Sequence, residues 1–171
     1  MELNVLRNNH NKIINGPFEI KPKVFHDERG YFFETWNAKD FEININSHTL
    51  FVQDNQSFSK KGTLRGLHYQ LDPMAQGKLV RVTKGEVFDV IVDIRENSKT
   101  FLSWTSLFLN CQEKNQIWIP KGFAHGFLTL SNEAIIEYKV TNFWNKELER
   151  TILWNDSQIS IQWPKLNNNF L

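Results

Sequence analysis

Arg65 and His68 stand three residues apart in Gly62-Thr63-Leu64-Arg65-Gly66-Leu67-His68-Tyr69-Gln70, a run rich in β-formers. A guanidinium can hold an anion, and an imidazole near its ordinary pKa of ~6.5 can accept a proton at neutral pH. A second histidine, His125, recurs in Ile119-Pro120-Lys121-Gly122-Phe123-Ala124-His125-Gly126-Phe127. Lys78 follows Gln76-Gly77; inside a cavity it would steady an oxyanion or a phosphate. Tyr138 shares strand parity with Ile136 and Val140, so an inward ring there would carry a hydroxyl able to deliver a proton opposite a base. These residue types suggest an interior cavity that handles protons and anions. Each also has a plainer reading: packed histidines, a core tyrosine, a solvated lysine, and Arg65 on the solvent face.

The spacing of Arg65 and His68 raises a geometric question. On an ideal strand, positions three apart point to opposite faces. Gly66 between them permits a bulge or bend that would turn both toward one cavity. Arg29, in Asp27-Glu28-Arg29-Gly30, has two readings, a turn salt bridge or an anion contact, and Glu34 follows close behind. A metal site is disfavoured, because two residues after His68 stands Gln70, a poor ligand for zinc or iron.

The elements that must position these groups are mostly strands. Phe88, Val90, Val92 and Ile94 alternate with Asp89, Ile91, Asp93 and Arg95, which predicts one buried face and one partly polar face. Thr83-Lys84-Gly85-Glu86 is a turn between that strand and another over Lys78–Val82. Further strands are expected at 101–109, 116–119, 124–130, 134–141, 150–154 and 159–163. Short helical turns are expected at Asn37–Phe41, capped by Asn37, and at Glu147–Arg150. Asn8–Asn15, Asn44–Ser47 and Asn167–Asn169 read as loops or termini. Many short strands with few helices suggest a sandwich or barrel, and closure into a two-sheet jelly roll leaves a cavity between the sheets.

The 171 residues suit one domain spanning 1–171. A net charge of +1 gives no basic field for nucleic acid. Fourteen Phe, six Trp and three Tyr supply a large core and stacking platforms for a ring-bearing ligand. One cysteine, Cys111, forms no internal disulfide, and no run approaches the ~20 apolar residues of a membrane helix. A cytoplasmic protein without membrane partners is the simplest expectation.

Set in order, these segments resemble the nucleotide-sugar 3,5-epimerases of the cupin superfamily. The match runs colinearly from Phe25-His26-Asp27-Glu28-Arg29-Gly30 through Phe51-Val52-Gln53-Asp54-Asn55, Leu64-Arg65-Gly66-Leu67-His68-Tyr69-Gln70, Gln76-Gly77-Lys78-Leu79-Val80-Arg81 and Gly85-Glu86-Val87-Phe88-Asp89-Val90. It continues to Trp154-Asn155-Asp156 and Trp163-Pro164. Pro120-x-Gly122-x-x-His125 fits the second general cupin motif, whereas the first lacks its metal-binding His pair.

The resemblance implies an all-β cupin-type jelly roll with a few short helices, dimerised by exchange of N-terminal strands. It implies no metal and no cofactor. The implied substrate is a dTDP-linked 4-keto-6-deoxy hexose, in a pathway of dTDP-rhamnose formation that serves lipopolysaccharide or capsule. His68 would remove the protons at C3 and C5, Lys78 would face the enolate oxygen, and Tyr138 would reprotonate from the opposite side. Arg65 would hold diphosphate. Gln53, Asn55, His125 and Glu149 fall on binding positions, and so do Arg29 and Glu34, which would reach across the dimer. Trp144 would stack on the thymine with Phe25 assisting.

Two outcomes other than double epimerisation stay open at this point: reaction at C3 alone, or 3,4-ketoisomerisation, on a dTDP- or GDP-linked sugar. A nonenzymatic sugar-nucleotide binder is the alternative from another class. The family also carries, after Trp-Pro, a Leu-Ser-x-Lys-Asp segment whose Asp orients the catalytic histidine. The present sequence stops at Leu171, short of that place: either it is cut before that segment or the segment is absent, and only in the second case would His68 need another carboxylate or a carbonyl to fix its ring.

Overall fold

The computed structural model describes residues 1–45 and 49–166. In chain order the strands begin with β1 (Glu2–Arg7), β2 (Ile13–Lys21), β3 (Phe25–Asp27), β4 (Gly30–Phe32) and β5 (Gln53–Lys60). They continue with β6 (Leu64–Gln70), β7 (Lys78–Lys84), β8 (Glu86–Asp93) and β9 (Trp104–Asn110). The last are β10 (Gln116–Ile119), β11 (Phe123–Thr129), β12 (Glu133–Val140) and β13 (Glu149–Thr151). The helix α1 (Ala38–Ile45) lies between β4 and β5.

Six strands form one sheet in the order β1-β2-β10-β7-β12-β5, and five form a second in the order β13-β6-β11-β8-β9. The chain passes from sheet to sheet at nearly every step between β5 and β12, which is the jelly-roll pattern. Alternation then sorts the side chains. Leu6, Ile14, Val80, Val82, Ile91, Ile117, Phe123 and Ile136 fill the space between the sheets. This apolar core occupies the β1–β2 side of the sandwich, while the side walled by β5 and β6 is lined with polar groups.

Strand β8 departs from the expected pattern. Its odd positions are not a polar face, because Val87, Asp89, Ile91 and Asp93 are fully buried. Val87 and Ile91 point into the inter-sheet core; Phe88, Val90 and Val92 pack on the outer side against Ile159 and Trp163. The segment 159–163, expected as a strand, forms none. It covers the outer face of the five-stranded sheet as an irregular strap, with Trp163 on Phe88 at 5.9 Å between ring centroids. Glu147 sits in a turn, and Glu149 and Arg150 belong to β13.

Asn37 caps α1 as expected, its side-chain oxygen accepting from the N–H groups of Lys39 and Asp40 at 3.1 and 3.3 Å. The helix outlasts the expected turn and includes Asn44 and Ile45. The remainder of the Asn44–Ser47 loop, and the Asn167–Asn169 terminus, lie outside the described residues. Eight residues are too few for a helix to stand alone. It is held by Phe41, which meets Trp118 edge-on at 5.1 Å. Ile13, expected in a loop, begins β2; Asn8, Asn9 and Asn11 form the turn before it, where Asn8 Oδ1 accepts from His10 N and Lys12 N. No helix among the described residues is long and apolar enough to cross a membrane.

Among the described residues, strands β3 and β4 pair only with each other. All six of their residues are exposed, Phe25, Tyr31 and Phe32 among them. An isolated two-stranded hairpin is marginal in water.

Candidate active site

Gly66 does what its position suggested. Between β6 and β11, His68 is opposite His125 and Arg65 is opposite Phe127, so two residues of β6 face the single Gly126. This bulge shifts the phase of β6 by one position, and Arg65 and His68 reach the same cavity. The strands close tightly at that point. Gly66 has φ of +118°, and a Cβ there would lie 2.5 Å from Gly126 Cα and 2.7 Å from the His125 carbonyl oxygen. Neither is a flexible side chain that can step aside. Gly66→Ala should therefore cost roughly 3 kcal/mol or more. The check is thermal unfolding, with Tm expected to drop by roughly 10 °C.

The cavity has a volume of about 450 Å³. His68, Arg65, His125 and Glu149 enter it from the five-stranded sheet. Lys78, Tyr138, Gln53, Asn55 and Ser57 enter from the six-stranded one, and Trp144 lines it from the loop after β12. Nine of the twelve residues read from the sequence thus share one space. On the six-stranded wall the register explains the grouping: Tyr138 is flanked by Asn55 and Val80, and Val140 by Gln53 and Lys78. His68 and Tyr138 therefore stand on opposite walls.

Phe25, Arg29 and Glu34 are not part of this cavity. Phe25 and Arg29 sit on the β3–β4 hairpin, and Glu34 just after it. Arg29 pairs with Asp27, not with Glu34, whose carboxylate accepts from the Asn37 amide.

Each wall is braced. Arg65 donates from Nε to Ser59 Oγ at 3.0 Å and from Nη2 to the Phe58 carbonyl at 3.2 Å, leaving its other N–H groups free to meet an anion. Gln53 donates to Asn55 Oδ1 at 2.7 Å and accepts from the Trp144 backbone N–H at 3.4 Å. Gln70 donates to the carbonyls of Met74 and Phe143 and accepts from Asn145 N. The loop carrying Trp144 is thereby fixed while its indole stays half exposed.

Electrostatics separate the three reactive groups. Burial pushes Lys78 from its ordinary 10.5 to about 8, against the opposing carboxylates of Glu149 and Asp89. Burial also lowers His68 below 6.5; Glu149 counters this, while Lys78, His125 and Arg65 add to it. Burial raises Tyr138 above 10, with Arg65 opposing. At neutral pH the site holds a neutral imidazole, an ammonium and a protonated phenol. Among the described residues none hydrogen-bonds the His68 ring, and Glu149 supplies the carboxylate that acts on its charge.

Three groups escaped the sequence reading. Ser57 lines the cavity with its Oγ buried and without a hydrogen-bond partner. Its parity with Gln53 and Asn55 was the available signal. Gln76 also lines the cavity, donating to the Asn142 carbonyl at 2.7 Å. Asp89 lies behind His125, and its Oδ2 accepts from His125 Nε2 at 2.8 Å. Among the described residues no cluster of three His, Cys, Asp or Glu side chains could hold a metal ion.

A histidine on one sheet faces a tyrosine and a lysine on the other across a jelly-roll cavity, a set of groups suited to acid–base isomerisation. The model of the dTDP-4-dehydrorhamnose 3,5-epimerase family matches residues 11–170, and the chain belongs to that family. The dTDP-4-dehydrorhamnose 3,5-epimerase of Shigella flexneri is 58% identical over 148 residues, covering 86% of this chain and 82% of that protein. That of Salmonella typhimurium is 56% identical over 145 residues, covering 85% and 79%. The epimerase of Legionella pneumophila Philadelphia 1, solved with dTDP-4-keto-L-rhamnose, superposes with a TM-score of 0.90 at 46% identity, covering 99% of this chain and 87% of that one.

Proposed function

We propose that the protein converts dTDP-4-dehydro-6-deoxy-D-glucose to dTDP-4-dehydro-L-rhamnose by inverting C3 and C5. The observation that carries this reading is the placement of His68 and Tyr138 on opposite sheets with Lys78 in the same cavity. Protons at C3 and C5 both flank the C4 ketone. Removal of either by His68 leaves an enolate, whose charge settles on the C4 oxygen. The Lys78 ammonium faces that charge as it develops. Tyr138 then returns a proton to the other face of the carbon, and the centre inverts. His68 loses its proton to solvent, and the phenolate of Tyr138, made more basic by burial, recovers one. The same three groups then act at the second carbon.

Arg65, anchored through two of its donors, holds diphosphate with the remainder. The half-exposed indole of Trp144 stacks on thymine at the cavity mouth. The projecting β3–β4 hairpin docks on a second copy of the chain, giving a homodimer in which Arg29, Glu34 and Phe25 complete the partner's site. Its exposed aromatic rings and the 85% exposed Arg29 side chain suit that use. The free Cys111 accords with work in the reducing cytoplasm.

Because His68 must be neutral and Lys78 charged, kcat/KM should be bell-shaped. Activity falls as pH drops through the His68 value, below 6.5, and falls again as pH rises through about 8, where Lys78 loses its proton. A profile measured from pH 5 to 9 checks both limbs. The reaction itself is tested by incubating the protein with the purified ketosugar and reading ring-proton couplings by NMR. The L-configured ring is expected; unchanged substrate would overturn the assignment.

A further inference from the structure

Asp89 is the least expected residue of the interior. It sits on β8 between Val87 and Ile91, both fully buried, and is itself 0% exposed. A carboxylate in such a place is costly unless its oxygens are satisfied. Oδ2 accepts the Nε2–H of His125, but Oδ1 has no hydrogen-bond partner among the described residues. A core position that needed only volume would be met by Leu without this cost. The presence of a carboxylate calls for a use of the charge.

The hydrogen bond fixes one property of His125. An ionised carboxylate can only accept, so the imidazole must carry its proton on Nε2. With Nε2 tied back to β8, the rest of the ring, Nδ1 included, is what His125 offers to the cavity it lines. The free Oδ1 fixes a second property. A carboxylate with only one hydrogen bond keeps an unquenched field in a low-dielectric interior. The cavity above holds Lys78 on β7, Arg65 and His68 on β6, His125 on β11, Tyr138 on β12 and Glu149 on β13.

We propose that Asp89 is a positioning residue for the reaction, holding the His125 ring in one orientation and serving, with Glu149, as the buried counter-charge that keeps Lys78 an ammonium ion. The field at Lys78 supports this, since Asp89 is one of the two carboxylates that oppose the effect of burial there. The two carboxylates act on the cation from different strands, Glu149 lining the cavity on β13 and Asp89 behind the cavity-lining His125 on β8. Glu149 is accessible to substrate, whereas Asp89 is not, so only Asp89 can act purely through its neighbours.

The kinetic half of this proposal rests on the epimerase reading; the spectroscopic half does not. Asp89→Asn keeps the shape and an acceptor but removes the charge. Its basic limb in kcat/KM should move toward neutral pH by roughly half a unit or more. A limb left at the wild-type pH would overturn the counter-charge role. On the unsubstituted protein labelled with 15N-histidine, the His125 ring, assigned by comparison with His125→Gln, should carry its proton on Nε2 throughout neutral pH. A ring protonated on Nδ1 alone would overturn the orienting role, even if Asp89→Asn failed to fold or turnover were absent.

Discussion

Replacing His68 with alanine should lower kcat by about 10²–10⁴-fold, the range associated with loss of a positioned general base. Binding of dTDP should survive, because the groups proposed to hold it are anchored independently. Arg65 is fixed by Ser59 and Phe58, and the Trp144 loop by Gln53 and Gln70. His68 takes part in none of these bonds. Calorimetric titration with dTDP alongside the rate measurement separates the two properties. A variant that turned over normally would remove His68 from the mechanism. One that lost dTDP affinity along with turnover would place it among the binding residues.

The second large effect belongs to Lys78. Lys78→Met preserves length but deletes the cation facing the enolate, and should cost about 10²–10³-fold in kcat. It should also erase the basic limb of the pH profile near 8, since the group that titrates there is gone. The sign follows from burial. Desolvation favours the neutral amine and lowers the value from 10.5, so Lys78 is half protonated at about 8 and fully so only well below it. Activity that depends on the ammonium is therefore lost on raising the pH. A slow variant that kept its basic limb would show that another group titrates there.

Much of this arrangement was legible along the chain, and the failures have physical causes. His68, Lys78 and Tyr138 stand out because their types are chemically uncommon on apolar strands, but each also reads as a packed or solvated residue, and only the family resemblance assigns their roles. Gly66 permits a bulge or bend, but the strand pattern alone favours Arg65 on the solvent face. The partner of Gly66, Gly126, carries no such signal, because the close approach exists only once β6 and β11 pair. Asp89 was missed because period-two alternation assigns an acid to a wet face. The C-terminal strap covers the other side of β8, so that both faces are dry. The strap reads as a strand in the sequence because alternation reports burial, and burial does not require a ladder of hydrogen bonds. Ile159 is buried there without a β partner. Arg29 and Glu34 are not brought into the cavity, since among the described residues the hairpin that holds Arg29 pairs with neither large sheet.

The central claim is that one base and one acid, on facing sheets, invert two carbons beside the same ketone. Turnover in D₂O followed by NMR tests it most directly. Each inversion should bring in one solvent deuteron, through the exchanged hydroxyl of Tyr138. Deuterium at both C3 and C5 of an L-configured product is the expected result. Deuterium at C3 alone, or inversion with the original hydrogens retained, would contradict the account.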